Sequence, residues 1–166
     1  LGFTGSRFAY RLRAAGWQVA GTARDEAVLE QFRADGIVAG QLETPEIPSD
    51  TCHILSTIPP GEAGDPVLLS HSAAMAAASG LAWVGYLSST GVYGDRGGVA
   101  VCEVDPPTPG NTRSRRRVAA EQARLEFGKK RGVAVQIFRL AGIYGPKRSA
   151  LDSVRGGTAK RIDKPG

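Results

Sequence analysis

Five short runs rich in apolar and β-branched residues alternate along this chain with stretches of helical period, and no other feature restricts the fold as strongly. The runs are residues 17–23 (WQVAGTA), 37–42 (IVAGQL), 53–58 (HILSTI), 82–89 (AWVGYLSS) and 133–140 (VAVQIFRL). Strands separated by helices pair in parallel, and a parallel sheet has both faces covered. The fold class is therefore α/β, with a doubly wound parallel sheet. Residues 6–16 read as the first helix, with Phe8, Leu12 and Ala15 on one face and Gly16 as a left-handed cap. Asp25 caps a second, running to Phe32, with Val28, Leu29 and Phe32 turned inward. Asp65-Pro66 starts a third, because Asp accepts from the unpaired amides and Pro lacks the N–H that would find no partner there. This helix stops at Gly80, and a fourth spans about 112–130. Polar or glycine- and proline-rich loops fill 44–50, 90–111 and 142–148.

The 166 residues suit one domain, here 1–166, with 42% hydrophobic and 22% charged residues. No apolar run approaches the roughly 20 residues that span a bilayer. Cys52 and Cys102 stand far apart and read as buried, inert thiols in a reducing cytoplasm, and His53 and His71 are unclustered, so no metal site is expected. The chain opens without Met directly on a glycine turn and stops at KPG, and is expected to be an internal piece of a longer protein. Charge is uneven. Residues 1–110 hold 6 Lys+Arg against 12 Asp+Glu, and residues 111–166 hold 15 against 4. Such asymmetry serves a nucleic acid or a small anionic ligand equally well.

The opening LGFTGSRFA places Gly2 and Gly5 at the spacing of the second and third glycines of G-x-G-x-x-G. Without a side chain at Gly2 a pyrophosphate can approach the backbone, and the helix that follows offers unpaired amides. Gly2, Phe3, Thr4 and Gly5 are thus candidate dinucleotide-binding residues. The next strand ends in GTAR. A unit selective for NAD places Asp or Glu there to hold the ribose hydroxyls. Thr22 and Arg24 stand there instead, and an arginine attracts a 2′-phosphate. NADP is therefore favoured over NAD.

Two further stretches, LSSTGVYGD at 87–95 and RLAGIYGP at 139–146, follow in order. With the glycine turn upstream, the chain resembles the extended and atypical short-chain dehydrogenase/reductases of the NAD(P)-dependent epimerase/dehydratase type. That resemblance implies a Rossmann fold with a dinucleotide across the carboxyl ends of the strands. It implies Ser89 as the catalytic Ser/Thr and Gln41 where an acidic residue usually meets the adenine. It sets Ser56, Thr57 and Pro59 beside the cofactor, and the loop from Ala141 to Tyr144 near the nicotinamide. It also implies a first strand before the glycine turn and a substrate-binding portion after the last strand, both absent from the 166 residues. A central strand missing in this way would leave two neighbouring strands unpaired. Tyr93 and Tyr144 read as packing residues.

TRSRRRVAAEQ, residues 112–122, opens the fourth helix with arginines at 113, 115, 116 and 117. Relatives start this helix with Tyr-x-x-x-Lys and carry Glu four residues later. With Glu121 as that Glu, Arg113 and Arg117 occupy the dyad. Arginine stays protonated at any working pH and cannot act as the acid/base. One turn apart, the two can instead hold a carboxylate or phosphate. No aromatic residue interleaves with the arginines for base stacking, so a small-molecule substrate is expected and a nucleic acid is not. Relatives often dimerise, and a homodimer is the expected assembly. The expected function is NADP-dependent oxidoreductase or epimerase chemistry on a small polar, anionic substrate. The alternative is a non-catalytic NADP-binding sensor, which the missing tyrosine favours.

Overall fold

A computed structural model of the chain describes residues 1–44 and 47–160. The elements follow in the order α1 (Phe3–Ala14), β1 (Ala20–Thr22), α2 (Glu26–Ala34), β2 (Val38–Gly40), β3 (His53–Ser56), α3 (Pro66–Ala77), β4 (Trp83–Ser89), α4 (Thr112–Arg131), β5 (Ala134–Leu140) and α5 (Ala150–Arg155). A single 3-10 turn, Thr90–Tyr93, follows β4 within the expected loop. α5 was not foreseen: it is six residues long and buries none of them, and it is fixed by a capping box between Ser149 and Asp152. Pro45 and Glu46 of the expected 44–50 loop, and the closing residues 164–166, lie outside the described residues.

All the strand pairings are parallel, and they form two sheets. β1 pairs with β2, and β3–β4–β5 pair in that order. No ladder joins β1 to β3, so the expected pair of unpaired neighbouring edges belongs to these two strands. This is an α/β, Rossmann-type arrangement, and each sheet has its own core. Ala9, Phe32 and Ile37 pack with Leu1, Val19 and Ala39 beside the first. Val67, Met75, Ala78, Leu81 and Val84 pack with Phe127 and Val135 on the second.

The helix starts obey local chemistry. Asp25 accepts from the amides of Ala27 and Val28, and Asp65 from those of Val67 and Leu68. α4 ends at Gly132 in the left-handed conformation, φ 70°. Several inward faces differ from expectation. α1 buries Gly5 and Ala9, while Phe8 and Ala15 are exposed, and Val28 is exposed on α2. α1 turns its small residues inward because its close packing requires them, whereas α2 buries Leu29 and Phe32. A side chain at Gly5 would put Cβ 3.3 Å from Thr57 Oγ1. Cys102 is exposed and Cys52 half-buried, so neither is the buried thiol expected. Cys102 sits in the loop 90–111, which has little sheet to bury it.

Among the described residues no helix is long and apolar enough to cross a membrane, and no group of three His, Cys, Asp or Glu side chains is placed to hold a metal ion.

Candidate functional site

The strands of each sheet run parallel, and the start of the chain meets the end of both sheets, Leu1 at Thr22 and Gly5 at Thr57, so their carboxyl termini share one edge. That edge carries Thr22, Gly40-Gln41, Ser56-Thr57, Ser89 and Leu140-Ala141. Open α/β sheets take their ligands there.

The first helix begins at Phe3, ahead of the expected start at Ser6, so only Gly2 of the glycine turn precedes it and Gly5 lies within its first turn. Gly2 is the N-cap of α1, no side chain caps the helix, and its first turn holds no acidic residue. Among the described residues nothing lies within 4 Å of the position a Gly2 Cβ would take. Amides without a side-chain acceptor, a small positive dipole and open space together suit a phosphate. Phe3 and Thr4 follow within α1, and Gly5 brings α1 against Thr57. Ser56 is only 4% exposed, yet its hydroxyl has no hydrogen-bond partner among the described residues. A buried orphan hydroxyl is costly unless something completes it, so these residues fit a bound dinucleotide. Pro59 is exposed on the loop after β3. Thr22 closes β1 and Arg24 is exposed two residues on; the adjacent carboxylate, Asp25, is turned to the amides of Ala27 and Val28 as the cap of α2. Gln41 follows β2 and donates to Glu26 at 3.5 Å, and Ala141 follows β5 in an exposed loop.

Ser89 ends β4 and caps the 3-10 turn. Its oxygen accepts from the Gly91 amide at 3.2 Å, which leaves its O–H to donate elsewhere. Gly91 brings α4 close: a Cβ there would lie 3.2 Å from Ser114 Oγ and 3.4 Å from Ser89 Oγ. Two hydroxyls therefore converge on this glycine. Ser114, buried in the first turn of α4, was not among the expected residues, and its place beside three arginines gave no signal.

Arg113 is exposed at the start of α4, with no hydrogen-bond or ion-pair partner among the described residues. Arg117 turns inward and donates from Nη1 to the Tyr86 hydroxyl (3.4 Å) and the Leu87 carbonyl (3.3 Å). Burial pushes the Tyr86 hydroxyl above its ordinary pKa, against the opposing charge of Arg117. Both acceptors are neutral, so the charge of Arg117 is not cancelled by them, and its other nitrogens stay available.

Behind Ser89 stands a network the sequence did not disclose. Ser88 donates to Glu121, which forms an ion pair with Arg139 at 2.8 Å. Arg139 also donates to the Tyr93 hydroxyl at 2.9 Å. Its pKa is raised further above its ordinary value, chiefly by hydrogen bonding to Glu121, against the effect of burial. Tyr93 is buried packing, as expected, whereas Tyr144 is 83% exposed on a surface loop and packs on nothing comparable. An arginine inside the apolar run IFRL was the available sign of this network: a charge on a covered strand needs a partner.

No family model matches this chain, and no curated protein matches it. Solved structures do. A conserved protein of unknown function from Silicibacter pomeroyi DSS is 38% identical, with 99% of this chain and 58% of that one covered and a TM-score of 0.86. A UDP-galactose 4-epimerase structure is 18% identical, with 94% and 61% covered and a TM-score of 0.71. A dTDP-glucose 4,6-dehydratase from Bacillus anthracis str. Ames, solved in complex with NAD, is 16% identical, with 94% and 59% covered and a TM-score of 0.68. The chain thus spans about three fifths of the length of these structures. It has the Rossmann-type α/β fold that NAD-dependent epimerases and dehydratases share, which supports the resemblance read from its motifs.

Proposed function

We propose that this chain is the dinucleotide-binding part of an NADP-dependent oxidoreductase or epimerase of the extended short-chain dehydrogenase/reductase type. Its substrate would be a small, polar, anionic molecule. The observation that carries the reading is the uncapped glycine turn of α1, seated through Gly5 against the end of β3. Gly2–Gly5 would hold the pyrophosphate, Thr22 and Arg24 the adenosine end with its 2′-phosphate, Gln41 the adenine, and Ser56, Thr57, Pro59 and Ala141 the remainder. When bound, the dinucleotide supplies hydride chemistry.

The chain's own side chains then have separable tasks. The Gly91 amide fixes the Ser89 oxygen, so the Ser89 O–H points its donor at a substrate oxygen and polarises it. Arg113 and the unengaged nitrogens of Arg117 hold the substrate's anionic group. Neither arginine can cycle a proton near neutral pH, so a water or a residue outside the dyad moves it. Much of the basic charge of α4 serves the fold. Arg117 and Arg131 donate to backbone carbonyls, Arg124 pairs with Asp65, and Arg116 approaches Glu62 at 3.7 Å. This argues for a small-molecule ligand and against a nucleic acid. A cytoplasmic homodimer suits the same reading.

A second reading, an NADP-binding sensor without turnover, draws on the exposed arginine at position 113 in place of a tyrosine. Titration of the full-length protein with both cofactors is the test. NADP should bind about tenfold more tightly than NAD, a difference of about 1.4 kcal/mol, and Arg24→Ala should remove the difference. Equal affinities in the wild type would overturn the NADP assignment. Oxidation or reduction of the bound cofactor by candidate substrates separates enzyme from sensor.

A further inference from the structure

Phe3, the first residue of α1, carries two guanidinium groups. That of Arg7 lies 3.6 Å from the ring centroid and that of Arg148 lies 5.1 Å from it. The two differ in what else they touch. Arg7 donates to the carbonyls of Phe3 (3.1 Å) and Pro146 (3.2 Å), and so fastens the loop after β5 onto α1. The Arg148 guanidinium has no carboxylate or carbonyl partner among the described residues. The near carboxylate in sequence, Asp152, is engaged with Ser149. An arginine steadied by an aromatic face and otherwise unpaired is a cation held ready for an anion.

The backbone is bent to put it there. Gly145 and Arg148 exchange hydrogen bonds (3.0 and 2.9 Å) around Pro146 and Lys147. Lys147 has φ 62°, and it alone among the described non-glycine residues has a positive φ. Proline followed by a positive φ is a type II turn, whose third position normally takes Gly or Asn. Gly145 also seats against Phe3: a Cβ there would lie 3.1 Å from the ring. The loop borders an open hollow of about 850 Å³, lined in part by Tyr144, Lys147, Arg148, Ser149 and Leu151. Two cations and one exposed aromatic ring therefore face a space large enough for a small ligand.

We infer that this hollow binds a phosphoryl group, with Arg148 as the binding side chain, Phe3 as its support and Arg7 as the fastening of its loop. The phosphoryl group has two sources, the dinucleotide itself or a phosphorylated substrate, and the first rests on the function proposed above.

Inorganic pyrophosphate is the probe, titrated calorimetrically into the full-length protein alone and with saturating NADP. Arg148→Ala should weaken pyrophosphate by about tenfold, and Arg148→Lys by less, because the charge remains and the fork is lost. Arg148 is exposed, so the melting temperature of both variants should match the wild type. Displacement of pyrophosphate by NADP assigns the site to the dinucleotide, and simultaneous binding assigns it to the substrate. Wild-type protein that ignores pyrophosphate, or unchanged affinity in both variants, overturns the inference. Arg148-dependent pyrophosphate binding in a protein that binds neither NADP nor NAD leaves the inference standing and removes the proposed function.

Discussion

Glu121 and Arg124 stand one turn apart on the inner side of α4, and each is half of a buried ion pair. Arg124 meets Asp65 through two hydrogen bonds, of 2.5 and 2.8 Å, with side-chain exposures of 0% and 3%. Its guanidinium also lies 4.6 Å from the Tyr86 ring centroid. The carboxylate of Asp65 caps α3 as well, so the pair joins α3, α4 and β4. Glu121 and Arg139 are less sealed, and they share their bonds outward, with Ser88, Tyr93 and the Glu103 carbonyl. The first pair closes on itself and holds two helices to the sheet. The second reaches into the segments on either side of Ser89. Burial alone does not tell a strut from a positioning device; the remaining hydrogen bonds do.

The comparison can be broken most forcefully at Asp65. Asp65→Ala leaves Arg124 buried and unpaired and removes the α3 cap. The full-length protein should lose about 4 kcal/mol or more, read by denaturant unfolding. A double change to Asp65→Leu with Arg124→Met should recover most of this, short of about 1 kcal/mol for the lost cap. A loss below about 1 kcal/mol in Asp65→Ala would show that α4 is held by apolar packing instead.

Glu121→Gln comes next. Replacing the charged acceptor of Ser88 and Arg139 should cost about 2 kcal/mol. Its signature is local: the amides of Gly94 and Thr108, bonded to Gly91 and Val92 carbonyls, should exchange faster than the rest of the protein. Asp65→Ala should instead raise exchange everywhere. Equal patterns in the two variants would erase the distinction drawn between the pairs.

Tyr93→Phe removes one acceptor of Arg139 and keeps the buried ring, which the guanidinium still overlies at 4.8 Å. The expected cost is about 1 kcal/mol, with exchange again raised only around the 3-10 turn.

The smallest effect is pH-dependent and belongs to the α3 side. Burial lowers the pKa of His71, whose Nδ1 has no hydrogen-bond partner among the described residues. The unfolded chain therefore takes up a proton more readily than the native one. Stability should be intact well above the ordinary histidine value of about 6.5 and decline as pH falls below it, by no more than about 1.4 kcal/mol per pH unit. His71→Leu should flatten the profile below about pH 6.5; an unchanged slope would assign it to other groups.

Much of this molecule was legible from local chemistry. The alternation of apolar runs and helical periods gave the parallel α/β fold, because strand and helix periods are properties of neighbouring residues. Asp25, Asp65-Pro66 and the Gly2–Gly5 turn marked helix starts, since capping acts within three or four residues. The edge that collects Thr22, Gln41, Ser56 and Ser89 followed from parallel strands. Which helix faces turn inward did not follow: Phe8 and Val28 are apolar yet exposed, because the approach of a helix to its sheet is set by the smallest contacts, such as Gly5 on Thr57. The partners of buried charge were equally illegible. Arg124 finds Asp65 from 59 residues away and Arg139 finds Glu121 from 18. A charge in an apolar segment announces that a partner is needed, but only the packing of α3, α4 and β5 on β4 decides which one is within reach.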